Sequence, residues 1–292
     1  MKKIALVTHK EEPKLEDGER CLFAELIRRG YKPHETPWDE ESVDWKKFDT
    51  VVLRASWNYH EKVGEFRDWL RRLKSRGINF WNPVEVVSWN IDKHYLRSFE
   101  RKGITIIPTA FINQGQEYDL RQVIEKLRCD DVIIKPTIGA SAWNVGKFSK
   151  NDLSSAQQFA GQILSFGDVM VQKFMQQITD EGEYSFMFFD KRFSHAALKK
   201  PAGGDFRTQP HFGGSEGVAF PDKNLIEQAQ RVVDVVGSPL LYARVDGIND
   251  GGILRLMELE LAEPYLFFEL DKDASERFIE AMEKLVRRAR LR

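Results

Sequence analysis

Apolar residues follow two rhythms along this chain, and the switch between them marks its elements. Short, nearly continuous apolar runs predict buried strands at 3–8 (KIALVT) and 49–56 (DTVVLRAS). Between and after them, apolar residues recur at helical spacing in GERCLFAELIRRGY and GEFRDWLRRLKSRG, which end at Gly30 and Gly77. Strands alternating with helices predict a small parallel α/β lobe over residues 1–85. The stretch NPVEVVSWNIDKHYLRSFERKG then reads as a Pro-containing turn that becomes a helix. The next elements are a strand at ITIIPTAFI, a helix at DLRQVIEKLR, strands at DVIIKPT and VGKFSK, and a helix at DLSSAQQFAGQIL. They predict a second, α+β lobe over 86–170. From VMVQKFM onward strands dominate a third lobe over 171–292, interrupted by the helix LIEQAQRVVDVVG and closed by DASERFIEAMEKLVRRAR. The fold class is therefore α/β with α+β lobes, and neither an internal repeat nor a low-complexity tract is visible.

The stretch YARVDGINDGGILRLMELELAEP, residues 242–264, predicts an antiparallel hairpin with unusual charge. Side chains alternate along a strand, so Glu258 and Glu260 share a face, with Asp246 on the partner strand. Met257, Leu259 and Leu261 form the other face and read as core. Like charges on one face repel unless something neutralises them. A solvated polar surface is one reading. The other is a hard-cation site, because Mg²⁺ takes oxygen ligands and bridges a few carboxylates to phosphates.

Composition narrows the choice. The 292 residues carry 44 Lys plus Arg against 45 Asp plus Glu, so no global field steers the chain to nucleic acid or to a membrane surface. An anionic ligand must be met by a local group of bases. No apolar run reaches the length of a membrane span, and the start reads as a first strand rather than a signal peptide. Cys21 and Cys129 form neither a disulfide framework nor a zinc spacing, and a reducing cytoplasm is the expected location.

Four further segments could hold a nucleotide. Lys135 ends an apolar strand before Pro136 and the small-residue loop TIGASAWNVG, whose backbone N–H groups could approach phosphate oxygens; alone it is equally a surface turn. It is not a P-loop, since the GK[ST] ending is missing, and no GxGxxG follows the first strand. Lys93 is read as early in a helix, where a solvated charge is the plain alternative. VQKFM, 171–175, reads as a strand edge whose backbone could meet an adenine, with Glu183 nearby for ribose hydroxyls. KKPAGGDFRTQPHFGG, 199–214, sets four bases (Lys199, Lys200, Arg207 and, when protonated, His211) against Asp205. Its paired glycines would allow it to fold over a ligand.

The order of these pieces resembles the ATP-grasp superfamily across roughly residues 86–270. GDFRTQ…FGG is similar to the branch of ribosomal-protein glutamate ligases and glutathione-synthetase-like enzymes. RVD followed by ELELAEPYLFF, together with LRASWNYHEKVGEFRDWL, is most similar to the O-ureido-serine cyclo-ligase (cycloserine synthetase) group. The resemblance implies a small N-terminal α/β lobe followed by two α+β lobes that clasp ATP. It implies that Lys93 and Lys135 contact the phosphates, that Gln172, Lys173 and Phe174 line the adenine pocket, and that Glu183 binds ribose. Arg207, Thr208 and Gln209 would lie over the triphosphate or reacting centre. Asp246, Glu258 and Glu260 would hold Mg²⁺, or Mn²⁺ in its place, and Arg244 would stabilise charge on an acyl phosphate. The chain departs from the pattern at Glu260, where most members have Asn, and at Tyr184–Ser185, where an Arg often follows the acid. It departs again at Asn58, where relatives lead one to expect an acid.

The implied activity is an ATP- and Mg²⁺-dependent carboxylate–amine ligase that forms an amide through an acyl phosphate, releasing ADP and phosphate. Its substrates would be small, amino-acid-like carboxylates and amines, with no nucleic acid or membrane partner and with a homodimer left open. Such chemistry asks the protein mainly for positioning and charge stabilisation, which fits a chain with no Ser-His-Asp triad. An ATP-dependent phosphotransferase on the same fold, or a nucleotide-binding module without turnover, are the alternatives.

Overall fold

The computed structural model describes residues 1–290. In the first lobe, β1 (Lys3–Thr8), α1 (Arg20–Arg28), β2 (Lys32–Pro37), β3 (Thr50–Leu53), α2 (Val63–Ser75) and β4 (Phe80–Trp81) form a parallel sheet ordered β2-β1-β3-β4. β1 and β3 are the apolar runs expected from the sequence. β2 (KPHETP) was not expected as a strand, because two prolines and charged residues disguise it. It survives as an edge strand, where a proline costs no internal ladder bond. The segment expected as one helix after residue 82 is two, α3 (Val84–Asn90) and α4 (Tyr95–Arg101). Lys93 lies in the break between them rather than within a helix, and its main-chain N–H donates to Thr137 O at 2.9 Å.

The second lobe contains β5 (Thr109–Ile112), α5 (Leu120–Leu127), β6 (Asp131–Pro136), β7 (Gly146–Ser149), α6 (Leu153–Leu164) and β8 (Val169–Lys173), with sheet order β5-β8-β6-β7. All five residues of β8 pair within this sheet, so the lobe ends at Lys173 rather than at residue 170. β8 is internal, not an edge. Lys173 N donates to Pro108 O and Phe174 N to Asp131 O, so this backbone is not the open edge expected for reading an adenine.

The third lobe adds α7 (Gln177–Asp180), β9 (Glu183–Phe189), β10 (Arg192–Lys200), β11 (Ser215–Ala219), α8 (Lys223–Asp234), β12 (Tyr242–Asp250), β13 (Ile253–Glu260) and α9 (Ala274–Arg290). Its five strands are antiparallel, in the order β11-β10-β9-β12-β13. The first and third lobes share one apolar core. Ile4, Leu6, Leu22 and Leu26 pack with Phe189, Tyr242, Phe268 and Phe278, whereas the second lobe has a cluster of its own and lends Met170 and Phe111 to the core of the third. Side chains of α3 and α4 close the free edge of β13. Asn90 donates to Leu259 O and accepts from Leu261 N, each at 2.7 Å, and Tyr95 Oη both donates to Leu259 O and accepts from Leu259 N at 2.9 Å. These side chains take the place of a neighbouring strand, so the edge carries no unpaired ladder there.

The hairpin deviates from strict alternation at one point. Its register shifts between Asp246 and Gly247, so that Asp246 faces Glu258 while Gly247 faces Leu256. Met257 is the extra residue of a β-bulge, a feature enriched beside active sites. Leu254 and Leu256 are buried ahead of it, Leu259 and Leu261 after it. Met257 therefore leaves the core face assigned to it by alternation and stands on the wall of the central cavity. Glycine is required at 247: a Cβ there would lie 2.6 Å from Arg255 O.

Candidate active site

Among the described residues, one large cavity of about 930 Å³ lies where the three lobes meet, within the size range of small-molecule and cofactor sites. Its wall includes Lys93, Lys135, Gln172, Lys173, Glu183, Arg207, Thr208, Gln209, Arg244, Asp246, Glu258 and Glu260. Eleven of these twelve come from elements or loops of the second and third lobes, and Lys93 from the break before α4. Of the site residues expected from the sequence, Phe174 alone is not on the wall. Its ring sits beneath the Lys147 ammonium at 3.6 Å and edge-on to Phe206. Ile107, Ile133, Ile178 and Met257 supply instead an apolar stretch of the wall beside Gln172 and Lys173.

The three hairpin carboxylates do converge, and protein bases meet each of them. Arg244 spans two: Nη2 reaches Asp246 Oδ2 at 2.9 Å and Glu260 Oε1 at 2.5 Å, and Nε donates to Asp246. This follows from register, since Arg244 stands opposite Glu260 and Asp246 opposite Glu258. Ser185 Oγ donates to Asp246 Oδ1 at 2.5 Å, occupying the place where an Arg was expected from relatives. Lys93 Nζ pairs with Glu258 Oε1 at 2.9 Å and donates to Gly139 O at 2.8 Å, tying the hairpin to the small-residue loop. Like charges on this strand face are thus neutralised without a metal. Lys93, Arg244 and Lys199 already offset them, and no group of three or more His, Cys, Asp or Glu among the described residues is gathered to enclose an ion by itself. A Mg²⁺ ion would complete its shell with phosphate oxygens and water, as this ion ordinarily does. Glu258 and Glu260 fit that role, with about a quarter of each side chain open to the cavity, whereas Asp246 is 2% exposed and lies beneath them.

Proton affinities follow from the crowding. Burial lowers the Lys93 ammonium, but Glu258, Glu260 and Glu263 outweigh it and the net shift is upward. Burial raises Asp246, but Arg244 and Lys199 prevail and hold it below the usual range. Glu260 is raised to about 7 because burial, with Glu258 and Asp246 adding to it, exceeds the pull of Arg244. Lys135 is the opposite case: burial and the nearby Lys93 lower it to about 8, and no acceptor among the described residues hydrogen-bonds its Nζ. It is a cation facing the cavity without a counter-ion.

Several site residues escaped the sequence reading. Lys199 was counted only as part of a basic loop, yet it is buried, with Nζ 2.5 Å from Glu183 Oε1 and 3.7 Å from Asp246 Oδ1. The signal was available: Lys199 faces Glu183 across the β9–β10 pair, an opposite-charge cross-strand pair amid apolar strands. Thr208 Oγ1 donates to the other Glu183 oxygen at 3.2 Å, so the expected ribose acid holds two protein donors. Arg207 is clasped by Asp205 at 2.7 Å and lies 3.6 Å over the Phe212 ring, while Gln209 Oε1 is buried with no partner. Trp57, Tyr59 and Trp143 reach the wall, and Trp143 also packs on His60 and Phe166. Asn58, where relatives lead one to expect an acid, is off the wall. It accepts from Trp38 Nε1 at 2.8 Å and donates to Glu11 and Asp39. Glu263, also on the wall, was not singled out.

This three-lobed arrangement recurs across solved structures. The chain has the ATP-grasp fold. It superposes on the crystal structure of D-cycloserine synthetase DcsG with a TM-score of 0.86 at 24% identity, covering 97% of this chain and 99% of that one. The D-alanine–D-alanine ligase of Bacillus anthracis, in complex with ATP, gives 0.72 at 16% identity over 99% of both chains. Residues 4–82 match the family described as D-cycloserine synthetase DcsG, N-terminal domain. In sequence, the cycloserine biosynthesis protein DcsG of Streptomyces lavendulae is 28% identical over 265 residues, 84% of this chain and 86% of the relative. The resemblance drawn from RVD, ELELAEP and the Trp57 segment thus extends over 84% of the chain in sequence and 97% in fold. No helix among the described residues is long and apolar enough to cross a membrane.

Proposed function

We propose that this ATP-grasp protein is an ADP-forming carbon–nitrogen ligase that activates a small carboxylate as an acyl phosphate and delivers it to an amine. The observation that carries this reading is the meeting of an unpaired Lys135, the Lys93–Glu258 pair and the Arg244–Asp246–Glu260 cluster on one cavity wall. Lys93 and Lys135 would contact the phosphates, Gln172 and Lys173 the base, and Glu183 the ribose. Glu258 and Glu260 would hold Mg²⁺ directly, with the buried Asp246 adding negative charge beneath them, and the ion would supply charge neutralisation at the transferring phosphoryl group. Arg244, held against Asp246 and Glu260 and to Tyr265 O at 3.0 Å, is fixed where charge develops on an acyl phosphate. Arg207, Thr208 and Gln209, on the glycine-framed loop that lines the same cavity, would lie over this centre. The relatives act, by their names, on D-alanine and in D-cycloserine formation. Their likeness supports an amino-acid-like substrate here.

The test is a screen of amino acids and dipeptides for phosphate release with ATP and Mg²⁺, followed by mass analysis of the product. We expect amide formation with stoichiometric ADP. Glu258→Ala and Asp246→Ala should each cut turnover by about a thousandfold or more while the chain stays folded. Wild-type-like turnover in both variants refutes the metal assignment. A stable phosphorylated product in place of inorganic phosphate would support the phosphotransferase alternative.

A further inference from the structure

Of Glu183, Asp246, Glu258, Glu260 and Glu263 on the cavity wall, only the last has no base among the described residues. Asp246 and Glu260 share Arg244, Glu258 has Lys93, and Glu183 has Lys199. Glu263 lines the same cavity, is only 6% exposed, and its Oε2 is enclosed with no hydrogen-bond partner. An enclosed acceptor left unpaired costs free energy unless a ligand supplies the donor. Its main chain is rigidly held. Trp57 Nε1 donates to Glu263 O at 3.0 Å and Arg54 Nη2 to Pro264 O at 2.8 Å. Arg54 is itself fully buried and paired with Glu19. Two first-lobe donors therefore hold the main chain that carries a carboxyl group with no donor of its own. Trp57 and Tyr59 stand on the cavity wall beside it, and aromatic rings favour a cation at such a place.

We propose that Glu263 is the counter-ion for the ammonium group of the amino-acid-like substrate, a positioning role that rests on the ligase reading above. Burial first, then Glu260 and Glu258, hold the Glu263 carboxyl well above the usual range despite Lys93 and Arg244. An arriving ammonium would discharge that proton to solvent. Neutral groups without an N–H donor would find no compensation at this point. The subsite therefore selects amino acids over the same carbon skeleton lacking the amine.

The experiment is calorimetry on the full chain with AMPPNP and Mg²⁺ present, in buffers of different ionisation enthalpy. The probes are D- and L-alanine against propionate, and D- and L-serine and O-ureido-serine against their amine-free counterparts. We expect at least one amino acid to bind about ten- to a hundredfold more tightly than its counterpart, the size of a hydrogen-bonded buried charge. We also expect net proton release on binding. Both should vanish in Glu263→Gln. Equal binding of the amine-free acid by the wild-type chain overturns the proposal, as does a preference that survives Glu263→Gln. Binding of none of these amines by a chain that still binds AMPPNP overturns it too. A loss of AMPPNP affinity in Glu263→Gln as large as the loss for the amino acid would place Glu263 in the nucleotide site or the fold instead. Failure of the wild-type chain to bind AMPPNP at all would strike the ligase reading itself.

Discussion

The two sides of the cavity are built on opposite principles. On the hairpin side Arg244, Asp246, Glu260, Glu258 and Lys93 satisfy one another, leaving Glu263 as the exception, and Asn90 and Tyr95 of α3 and α4 pin the strand edge. On the other side Lys135 and Gln209 Oε1 have no protein partner, and the loop before β7 carries left-handed residues at Ser141, Ala142 and Asn144. Such backbone is tolerated only where the surroundings over-determine it, and it gathers at ligand-binding loops. The self-satisfied side is positioned before any ligand arrives. The other side is completed by what binds.

That contrast can be broken experimentally. Removing a group on the ligand-completed side should alter catalysis without harming the fold. Arg207→Ala should lower kcat by roughly a hundredfold while the KM for ATP moves less than about threefold, because its partner charge develops during transfer. Steady-state kinetics decides it: an unchanged kcat with weaker ATP binding would reduce Arg207 to a binding residue.

Lys135 sharpens the contrast through pH. Its ammonium is charged below about 8 and increasingly neutral above it, because burial and Lys93 disfavour the charge. ATP affinity should therefore be full below that pH and weaken as pH rises through it. Lys135→Met should cost about tenfold in affinity at pH 7 and remove this segment of the profile. A profile identical in the variant and the wild-type chain would show that the lysine does not meet the phosphates.

The smallest effect on catalysis belongs to the first lobe. Asn58 is off the cavity wall and bonded to Trp38, Glu11 and Asp39. Asn58→Ala should leave turnover within about twofold while costing about 1 kcal/mol in urea unfolding. A large loss of turnover at unchanged stability would give Asn58 a part in substrate binding.

Much of this was legible in the sequence because charge and periodicity are local. The hairpin's acids, the Lys135–Pro136 strand end and the glycine-framed Arg207 segment could be read from their neighbours alone. What escaped depended on partners distant in sequence. Met257 looked like core until the bulge shifted its phase, and nothing in LRLMELEL announces a register slip against Asp246. The break that releases Lys93 from a helix is stabilised by Thr137, 44 residues away, through a main-chain bond. The strand at Val169–Lys173 looked like an edge because its flanks are polar, yet β5 and β6 enclose it on both sides. Glu263 follows the conspicuous acids and looks like one more of them. Its isolation is visible only once Lys93 and Arg244 are seen to have chosen other partners.

The apolar core common to the first and third lobes has a mechanical consequence. Cutting the chain after residue 85 would leave Phe189, Tyr242, Phe268 and Phe278 facing water on one flank, so the small opening lobe is no detachable accessory. Mechanically the molecule is a two-part jaw. One jaw is welded from both ends of the sequence, and the other, with a core cluster of its own, is joined to it by the spans around Ile106–Pro108 and Phe174–Gly182 and by the bonds of Lys93 to Thr137 and Gly139.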